Sequence, residues 1–247
     1  MVKLNIRIDR IFETGMDILD ELNHGNSNDN YSMICSRFAQ MLDWHYAEVW
    51  MYQKETLQMV LSDIHYSKSK EVESFFKKSL KTRFSYGEGI PGEAWQSKEP
   101  IWIDDISTYQ SFKRKESAQK MNFKTCLAIP ISAYDHVEAV ILFYSKSIYE
   151  SNPMVLKLLH SIAQRVGLNL IRHELEEDIR KLEVKSDQFT ELISRISSIR
   201  DPYTSKHEYL VRNLAKYIGE RLKMGKEEID DIQLAALLHD IGKIAIP

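Results

Sequence analysis

The chain has 247 residues, of which 43% are hydrophobic and 28% charged, enough for a sizeable core in one large or two modest domains. Its net charge of −3 argues against broad, sequence-independent binding to nucleic acid. No apolar run approaches the roughly eighteen residues that span a bilayer, and the N-terminus lacks the features of a signal peptide, so we expect a cytoplasmic protein without a membrane span.

Three helices and two strands are predicted in the first third of the chain. Apolar residues recur at helical spacing over about Ile6–Asn23, and after a polar run a second helix passes through Phe38. The segments Tyr46–Tyr52 and Leu57–Ile64 have the composition of strands and are joined by a turn. A charged helix is then expected over about Lys68–Leu80.

Glycine and proline mark the turns of the next segment. Phe84–Trp95 holds two glycines for a tight turn and Pro91, which suits the start of a short helix. Pro100 opens a strand that ends at an acidic pair, and the strands Thr125–Ile131 and Ala139–Tyr144 flank another turn. The predicted fold of this half is therefore α+β, with a central antiparallel sheet flanked by helices.

Four short landmarks occur along this half: GEGIPG at 87–92, EPIWIDD at 99–105, LAIPI at 127–131 and AVILF at 139–143. In this order they resemble a GAF domain over roughly residues 12–172, and we assign residues 1–172 to it, with the N-terminal helix included. The resemblance implies a sensory module that has a small-molecule pocket on one face of its sheet. Such modules often dimerise through their terminal helices.

The residues expected to face that pocket are mostly aromatic. They are Trp50, Phe84, Tyr86, Trp95, Trp102, Tyr109, Phe112 and Phe123, together with the acceptor Asp104. Each ring would equally serve as core packing, and Asp104 would equally cap the helix after it. The ligand stays unknown. Neither Cys35 nor Cys126 precedes the histidine usual in bilin-binding members, and the two do not form the cysteine cluster of methionine-sulfoxide reductase members. Cyclic-nucleotide binding stays open as an alternative, although no signature of it stands out.

A single helix is predicted from Asn152 to about Ile199, because Pro153 suits a first turn and no further proline occurs until Pro202. One set of apolar residues stands seven apart, as in one seam of a two-stranded coiled coil: Leu168, Leu175, Leu182, Phe189 and Ile196. Such a helix would run roughly 70 Å. We interpret residues 153–199 as the connecting helix of a parallel homodimer. The alternative is one amphipathic helix packed on its own domain.

Two shorter helices are predicted after the connecting helix, one opening at Asp201 or Thr204 and one at Lys226. The second leads into the dipeptide His239–Asp240. One imidazole nitrogen and one carboxylate oxygen at a helix end suit iron, manganese, zinc or nickel. A solvated surface pair is the alternative for a dipeptide taken alone.

The surrounding residues change that balance, because DPYTSKH at 201–207 and AALLHDIGKIAIP at 235–247 resemble the opening of an HD-GYP domain. This branch of the HD superfamily hydrolyses cyclic di-GMP at a centre of two or three metal ions. By that resemblance the metal ligands are His207, His239 and Asp240. Lys243 would contact the scissile phosphate.

Two departures from the family pattern affect this assignment. Members with a third metal carry a glutamate four residues before the first histidine, where this chain has Tyr203, which favours a two-metal site. The sequence also stops at Pro247, before the remaining ligands and the Gly-Tyr-Pro segment, and three ligands from one edge cannot hold a metal pair. We therefore expect a fragment of a longer protein, with residues 200–247 forming only the all-α start of its HD domain.

Two functions follow from these patterns. The first is the regulatory part of a cyclic di-GMP phosphodiesterase, inactive by itself, in which an unknown GAF ligand acts through a dimeric helix on an HD-GYP domain that uses iron, manganese or similar ions. The second is a non-catalytic GAF protein that binds a ligand or dimerises. A thiol-based redox enzyme is disfavoured because the cysteine cluster is missing.

Overall fold

The structure is a computed structural model that describes residues 2–3, 8–24, 30–200 and 204–239. The chain divides into two compact units, Met1–Glu174 and Leu175–Pro247, and each is described by itself. The strands of the first unit are β1 (Val2–Lys3), β2 (Tyr46–Gln53), β3 (Gln58–Ser67), β4 (Arg83–Phe84), β5 (Ile101–Ile103), β6 (Thr125–Ala133), β7 (His136–Ser145) and β8 (Tyr149–Glu150). Its helices are α1 (Ile8–His24), α2 (Asn30–Leu42), α3 (Glu73–Ser79), α4 (Gly89–Ser97), α5 (Lys115–Lys120) and the start of α6 (Pro153–Arg200).

Six strands form one antiparallel sheet in the order β4-β3-β2-β7-β6-β5. In its centre Val49 of β2 stands opposite Ile141 of β7, which in turn stands opposite Ile129 of β6. The short β1 and β8 pair in parallel and form a second, two-stranded sheet. The predicted α+β fold with a central antiparallel sheet is therefore confirmed.

One predicted element begins in the wrong place. Strand β3 continues to Ser67, three residues beyond the predicted end at Ile64, and a short 3-10 turn at Lys70–Val72 precedes α3. The predicted helix over Lys68–Leu80 therefore starts only at Glu73. The reason is tertiary, because the end of β3 pairs with the start of β2, where Tyr46 stands opposite Ser67.

The sheet separates two apolar layers, because successive side chains of a strand point to opposite faces. The helical face packs under α1, α2 and the start of α6, and it includes Ala47 and Val49 of β2. The aromatic face packs against α3, α4 and residues 106–123, and it includes Tyr46 and Trp50 of β2.

Helix α6 packs directly on the sheet at Gly167. A Cβ atom there would lie 2.2 Å from the carbonyl oxygen of Ser132 on β6, well inside van der Waals contact. The neighbouring residues Ala163 and Val166 are fully buried. The glycine that interrupts an otherwise glycine-free helix is thus explained by direct packing of backbone on backbone.

The second unit contains the rest of α6 and the helices α7 (Thr204–Arg221) and α8 (Lys226–Leu238). The two short helices pack closely, since a Cβ at Gly219 of α7 would lie 3.0 Å from side-chain atoms of Ile229 and of Ile232 on α8. The backbone N–H of Gly225 donates to the Glu228 carboxylate at 2.8 Å, which caps the start of α8. Among the described residues, no helix has the length and apolar character needed to cross a membrane.

Candidate functional site

The aromatic face of the sheet holds a buried ion pair. Glu48, in the middle of β2, is fully buried, and Arg114, between β5 and α5, is 7% exposed. Both terminal nitrogens of the guanidinium meet the carboxylate, because Nη2 contacts Oε1 and Nη1 lies 3.0 Å from Oε2. This bidentate arrangement is the strong and directional form of the interaction between a guanidinium and a carboxylate.

Neighbouring side chains satisfy most of the remaining hydrogen-bonding capacity of the pair. The carboxylate accepts from Nε1 of Trp50 at 3.0 Å and from the hydroxyl of Tyr46 at 3.2 Å. The guanidinium donates to the hydroxyl oxygens of Ser79 at 2.7 Å and Tyr144 at 2.6 Å. Its Nε is the exception, since no group in the described part of the chain accepts that hydrogen.

Aromatic rings enclose the guanidinium. Its central carbon lies at these distances from four ring centres: 4.8 Å (Phe75), 4.9 Å (Trp50), 5.9 Å (Tyr144) and 6.0 Å (Phe112). Rings within about 6 Å attract a cation through their negative faces. We call the following residues the cage: Tyr46, Glu48, Trp50, Phe75 and Tyr144.

The protonation states fit this arrangement. Burial by itself lowers the pKa of Arg114, but the charge and hydrogen bond of Glu48, together with Tyr144 and Tyr46, outweigh it, so that pKa lies above its ordinary value. Burial raises the pKa of Tyr144 and that of Tyr46. The guanidinium therefore keeps its charge at neutral pH, and both phenols keep the protons that they donate to the carboxylate.

Most of the pocket residues predicted from the sequence lie on the aromatic face. They are Trp50, Phe84, Phe112 and Phe123, which are buried, and Trp95 and Tyr109, which are partly buried. Phe84 packs edge-on against Trp50 with ring centres 4.8 Å apart, and Phe123 stacks on Tyr144 at 5.1 Å. The hydroxyl of Tyr109 donates to the Glu93 carboxylate of α4. These side chains are brought together around the cage.

Three predicted pocket residues lie elsewhere. Trp102 packs on the helical face against Trp44, with ring centres 5.4 Å apart, because alternate residues of a strand point to opposite faces. Tyr86 is 57% exposed. Asp104 is exposed, and its carboxylate accepts from the backbone N–H of Ser151 at 3.1 Å, which ties two loops together.

The two charged residues of the cage were not among the candidates drawn from the sequence. The sequence did contain a signal for Glu48. It shares one face of its strand with the aromatic residues Tyr46 and Trp50, and the other face is apolar, so both faces of the strand are expected to be buried. Arg114 carried none. It stands in the run Lys113–Glu116, whose charges are typical of a solvated surface.

The cysteines take no part in this arrangement. Cys35 and Cys126 are both free and buried, on opposite faces of the sheet. Burial raises the pKa of Cys35 to about 12 and also raises the pKa of Cys126. Both groups therefore stay as neutral thiols at neutral pH, which does not favour thiol chemistry.

A second cluster lies in the C-terminal unit. The rings of His207 on α7 and His239, which follows the last residue of α8, have centres 5.5 Å apart, and both residues are exposed. Nδ1 of His239 lies 2.7 Å from the carbonyl oxygen of Ala236. In the tautomer that donates this hydrogen bond, the ring lone pair is on Nε2, the arrangement usual for a metal-bound histidine.

The remaining predicted members of this cluster, Asp240 and Lys243, fall outside the described residues, as does Tyr203. Within the described ranges, no group of three or more histidine, cysteine or acidic residues is placed to hold a metal ion. Two imidazoles at this separation are close enough to reach one ion through bonds of about 2.1 Å. The part of the cluster that is visible thus fits a metal site.

Comparison with protein families finds a model in each half of the chain. The GAF domain model matches residues 28–170, and the HD domain model matches residues 191–247.

A cyclic di-GMP phosphodiesterase of Thermotoga maritima is 29% identical over 145 residues, which are 50% of this chain and 39% of that protein. The cyclic di-GMP phosphodiesterase response regulator RpfG of Xanthomonas campestris is 33% identical over 87 residues, 35% of this chain and 22% of that protein. The chain spans well under half the length of these relatives.

Solved structures with similar folds include a GAF domain and a reductase. The one from a phosphoenolpyruvate-protein phosphotransferase of Coxiella burnetii superposes with a TM-score of 0.57 at 15% identity, over 69% of this chain and 98% of that one. Free methionine-R-sulfoxide reductase of Neisseria meningitidis gives 0.53 at 12% identity, over 69% and 95%. At these identities the likeness concerns the fold alone.

Proposed function

The chain belongs to the GAF domain family, and we propose that it is the sensory and connecting part of a metal-dependent phosphodiesterase that acts on cyclic di-GMP. The observation that carries this proposal is the order of the two family matches, GAF at 28–170 and HD at 191–247, in a chain whose two named relatives are cyclic di-GMP phosphodiesterases. The GAF domain is the sensor in this proposal, and the HD domain is its output.

We assign the metal ligands of this chain to His207, His239 and Asp240. The first two are supported by the convergence of their rings, and Asp240 by its place in the His-Asp motif. Bound divalent ions, iron or manganese, would supply a water of lowered pKa and stabilise charge on a phosphodiester. Lys243 adds a positive charge beside that phosphate and orients it. The complete centre of two metal ions needs further ligands of the HD-GYP type.

The connecting element of the proposal is α6. Beyond Glu174 its predicted seam residues are exposed in the single chain, Leu175 by 57%, Leu182 by 65% and Phe189 by 64%. Apolar side chains at seven-residue spacing become buried when two parallel helices pair, so we propose a homodimer along this seam. The side chain of Ile196, the last predicted member, lies outside the described residues.

A discrete change in helix pairing is the relay that we propose between sensor and output. Packed helices have a small number of stable arrangements, so a ligand that favours one GAF conformation shifts the balance between them. We place the protein in the cytoplasm, where its two free cysteines stay reduced.

The test is hydrolysis of cyclic di-GMP with manganese or iron supplied. It compares the 247-residue chain with the protein translated from the complete gene. We expect the gene product to form a linear dinucleotide or GMP, and the 247-residue chain to form neither. A gene product without activity under both metals would contradict the proposal and favour a non-catalytic GAF protein that binds a ligand or dimerises.

A further inference from the structure

The cage is built mainly on the central strands of the sheet. Tyr46, Glu48 and Trp50 lie on β2, and Tyr144 lies on β7, its neighbour in the middle of the sheet. Phe75 comes from α3 and is also buried. One carboxylate, two phenol hydroxyls and several ring faces form a site whose chemistry suits a flat organic cation.

The guanidinium that fills the cage comes from a different kind of segment. We call residues 107–123 the arm; it consists of turns and the six-residue helix α5. The hydrogen bonds between its backbone groups stay within the arm, apart from one from Thr108 to Asp105 at its start. No strand ladder joins the arm to the sheet among the described residues.

Side chains hold the arm in place instead. Arg114 enters the cage, Lys113 contacts the Glu88 carboxylate, and Phe112 and Phe123 are buried against the aromatic face. The pair between Lys113 and Glu88 is exposed and therefore weak. The position of the arm thus depends on its apolar contacts, on the hydrogen bond from Tyr109 to Glu93 and on the occupation of the cage by Arg114.

The fit of Arg114 in the cage is incomplete. Its guanidinium has five N–H donors, and the one on Nε has no acceptor in the described part of the chain although the side chain is buried. Buried donors in folded proteins nearly always find an acceptor. An ammonium group, which has three N–H donors, or a guanidinium whose ligand carries its own acceptor for the fifth N–H would not leave such a donor unpaired.

We propose that the cage is a binding site for a small organic cation with a guanidinium or amino group, and that Arg114 is its tethered occupant in the absence of that ligand. The ligand replaces one positive charge by another, so Glu48 remains paired throughout. An anionic ligand would have to approach a fully buried carboxylate that lies in a central strand, which the like charges disfavour. Entry of the cation releases Arg114 and with it the arm.

Because Arg114 is attached to the chain, its local concentration at the cage sets the affinity that a competing ligand needs. A group attached through a short segment competes as if it were present at about millimolar concentration. A bare guanidinium ion therefore competes poorly in the wild-type chain, and a natural ligand needs further contacts in the space that the arm vacates. Removal of the Arg114 side chain removes the competitor, which makes the cage testable with a simple probe.

The test uses the full 247-residue chain with Arg114→Ala and methylguanidinium chloride as the probe, against sodium chloride at equal ionic strength. We expect the probe to raise the unfolding midpoint of this variant, and at ten times its Kd to increase the ratio of folded to unfolded chain about elevenfold. The matched control is Glu48→Gln combined with Arg114→Ala, which keeps the cavity and removes its charge. Wild type and control should show no rise.

A second readout covers the case in which Arg114→Ala does not fold by itself. Arg114→Gly and Arg114→Ala are then refolded by dialysis with and without methylguanidinium, and recovery that needs both the probe and Glu48 supports the site. In folded protein the indole N–H resonance of Trp50, which donates to Glu48, should shift and saturate with the probe. Equal responses with and without Glu48, or no response in any variant, would overturn the proposal.

This inference names the ligand class of the sensor and so rests on the proposed function for its biological consequence. The experiment that tests the cation site does not depend on that function. Cage binding is read from unfolding and from Trp50, without cyclic di-GMP or metal. A failed rescue therefore counts against the cation site alone, whereas an inactive gene product counts against the phosphodiesterase.

Discussion

Glu48 and Arg114, which are 66 positions apart in the sequence, meet in a bidentate ion pair between the sheet and the segment that covers its aromatic face. Neither partner has more than 7% of its side chain exposed. A pair of this kind contributes little relative to an apolar substitute, but the loss of one member leaves a buried charge without its partner. A variant that removes one partner should therefore lose more stability than a variant that removes both.

Arg114→Met should lower the free energy of unfolding by about 3–5 kcal/mol, because Glu48 remains buried and unpaired. The double variant Glu48→Gln with Arg114→Met should recover a large part of that loss. Urea denaturation measures both. Lys98→Met serves as the control, since its pair with Asp135 is exposed and its removal should leave the midpoint unchanged. Additive losses in the double variant would contradict the buried-pair interpretation.

Gly167→Ala should destabilise the GAF domain by about 2 kcal/mol, although alanine is the better helix former, because the new methyl group overlaps the Ser132 carbonyl oxygen. Gly15→Ala is the comparison. The atoms nearest to its methyl group belong to the side chain of Ile162, at 2.7 to 3.1 Å, and not to backbone, so the loss should be smaller. Thermal unfolding of both variants decides the order, and the reverse order would refute the account of α6 packing.

Stability should also depend on pH through His45. Burial, followed by the nearby charges of Lys68 and Lys146, lowers the pKa of His45 below its ordinary value of 6.5. The unfolded chain therefore binds the proton more readily, and the free energy of unfolding should fall as the pH drops below 6.5 and stay level above it. His45 Nδ1 accepts the backbone N–H of Lys146 at 3.3 Å, which requires an unprotonated nitrogen.

His45→Asn provides the matching variant, because the asparagine oxygen stands near the place of Nδ1 and accepts the same hydrogen bond without titrating. Urea unfolding across this pH range should show a shallower slope for the variant than for wild type. Identical slopes would mean that other groups cause the dependence.

Metal binding should depend on both histidines of the C-terminal cluster. In the protein from the complete gene, His207→Ala and His239→Ala should each weaken manganese binding by more than about tenfold, the loss that even outer-shell substitutions can cause. Titration calorimetry measures the affinity. His136→Ala, in the GAF domain, is the control and should bind as wild type does. Loss at only one of the two positions would show that the rings do not share an ion.

The proposed seam of α6 predicts the state of association. Leu175→Asp and Leu182→Asp should each shift the chain from dimer to monomer, because a charge in a coiled-coil seam is buried without a partner. Arg180→Asp changes an exposed residue of the same helix that lies outside the seam and should leave the dimer intact. Sedimentation equilibrium distinguishes the species. A wild-type chain that sediments as a monomer would exclude this dimer.

Much of the fold followed from local patterns. The GEGIPG turn was expected from its glycines, and Gly87 and Gly89 have φ of +75° and +60°, values that L side chains rarely adopt. Trp50 and Phe84, chosen from the sequence as aromatic pocket residues, lie in one layer of the sheet. The HD match also followed from the sequence, since its landmarks are contiguous at 235–247.

Tertiary structure alone decided which residues meet. Nothing local marks Arg114 as buried or predicts that it reaches Glu48, since their contact depends on how residues 107–123 fold back over the sheet. Trp102, chosen as a pocket residue for its aromatic ring, faces the helices because of its register in β5. Local spacing determines periodicity and turns, and these determined the α+β fold. Contacts between distant residues depend on the packing of whole elements, and that packing placed a guanidinium inside the cage.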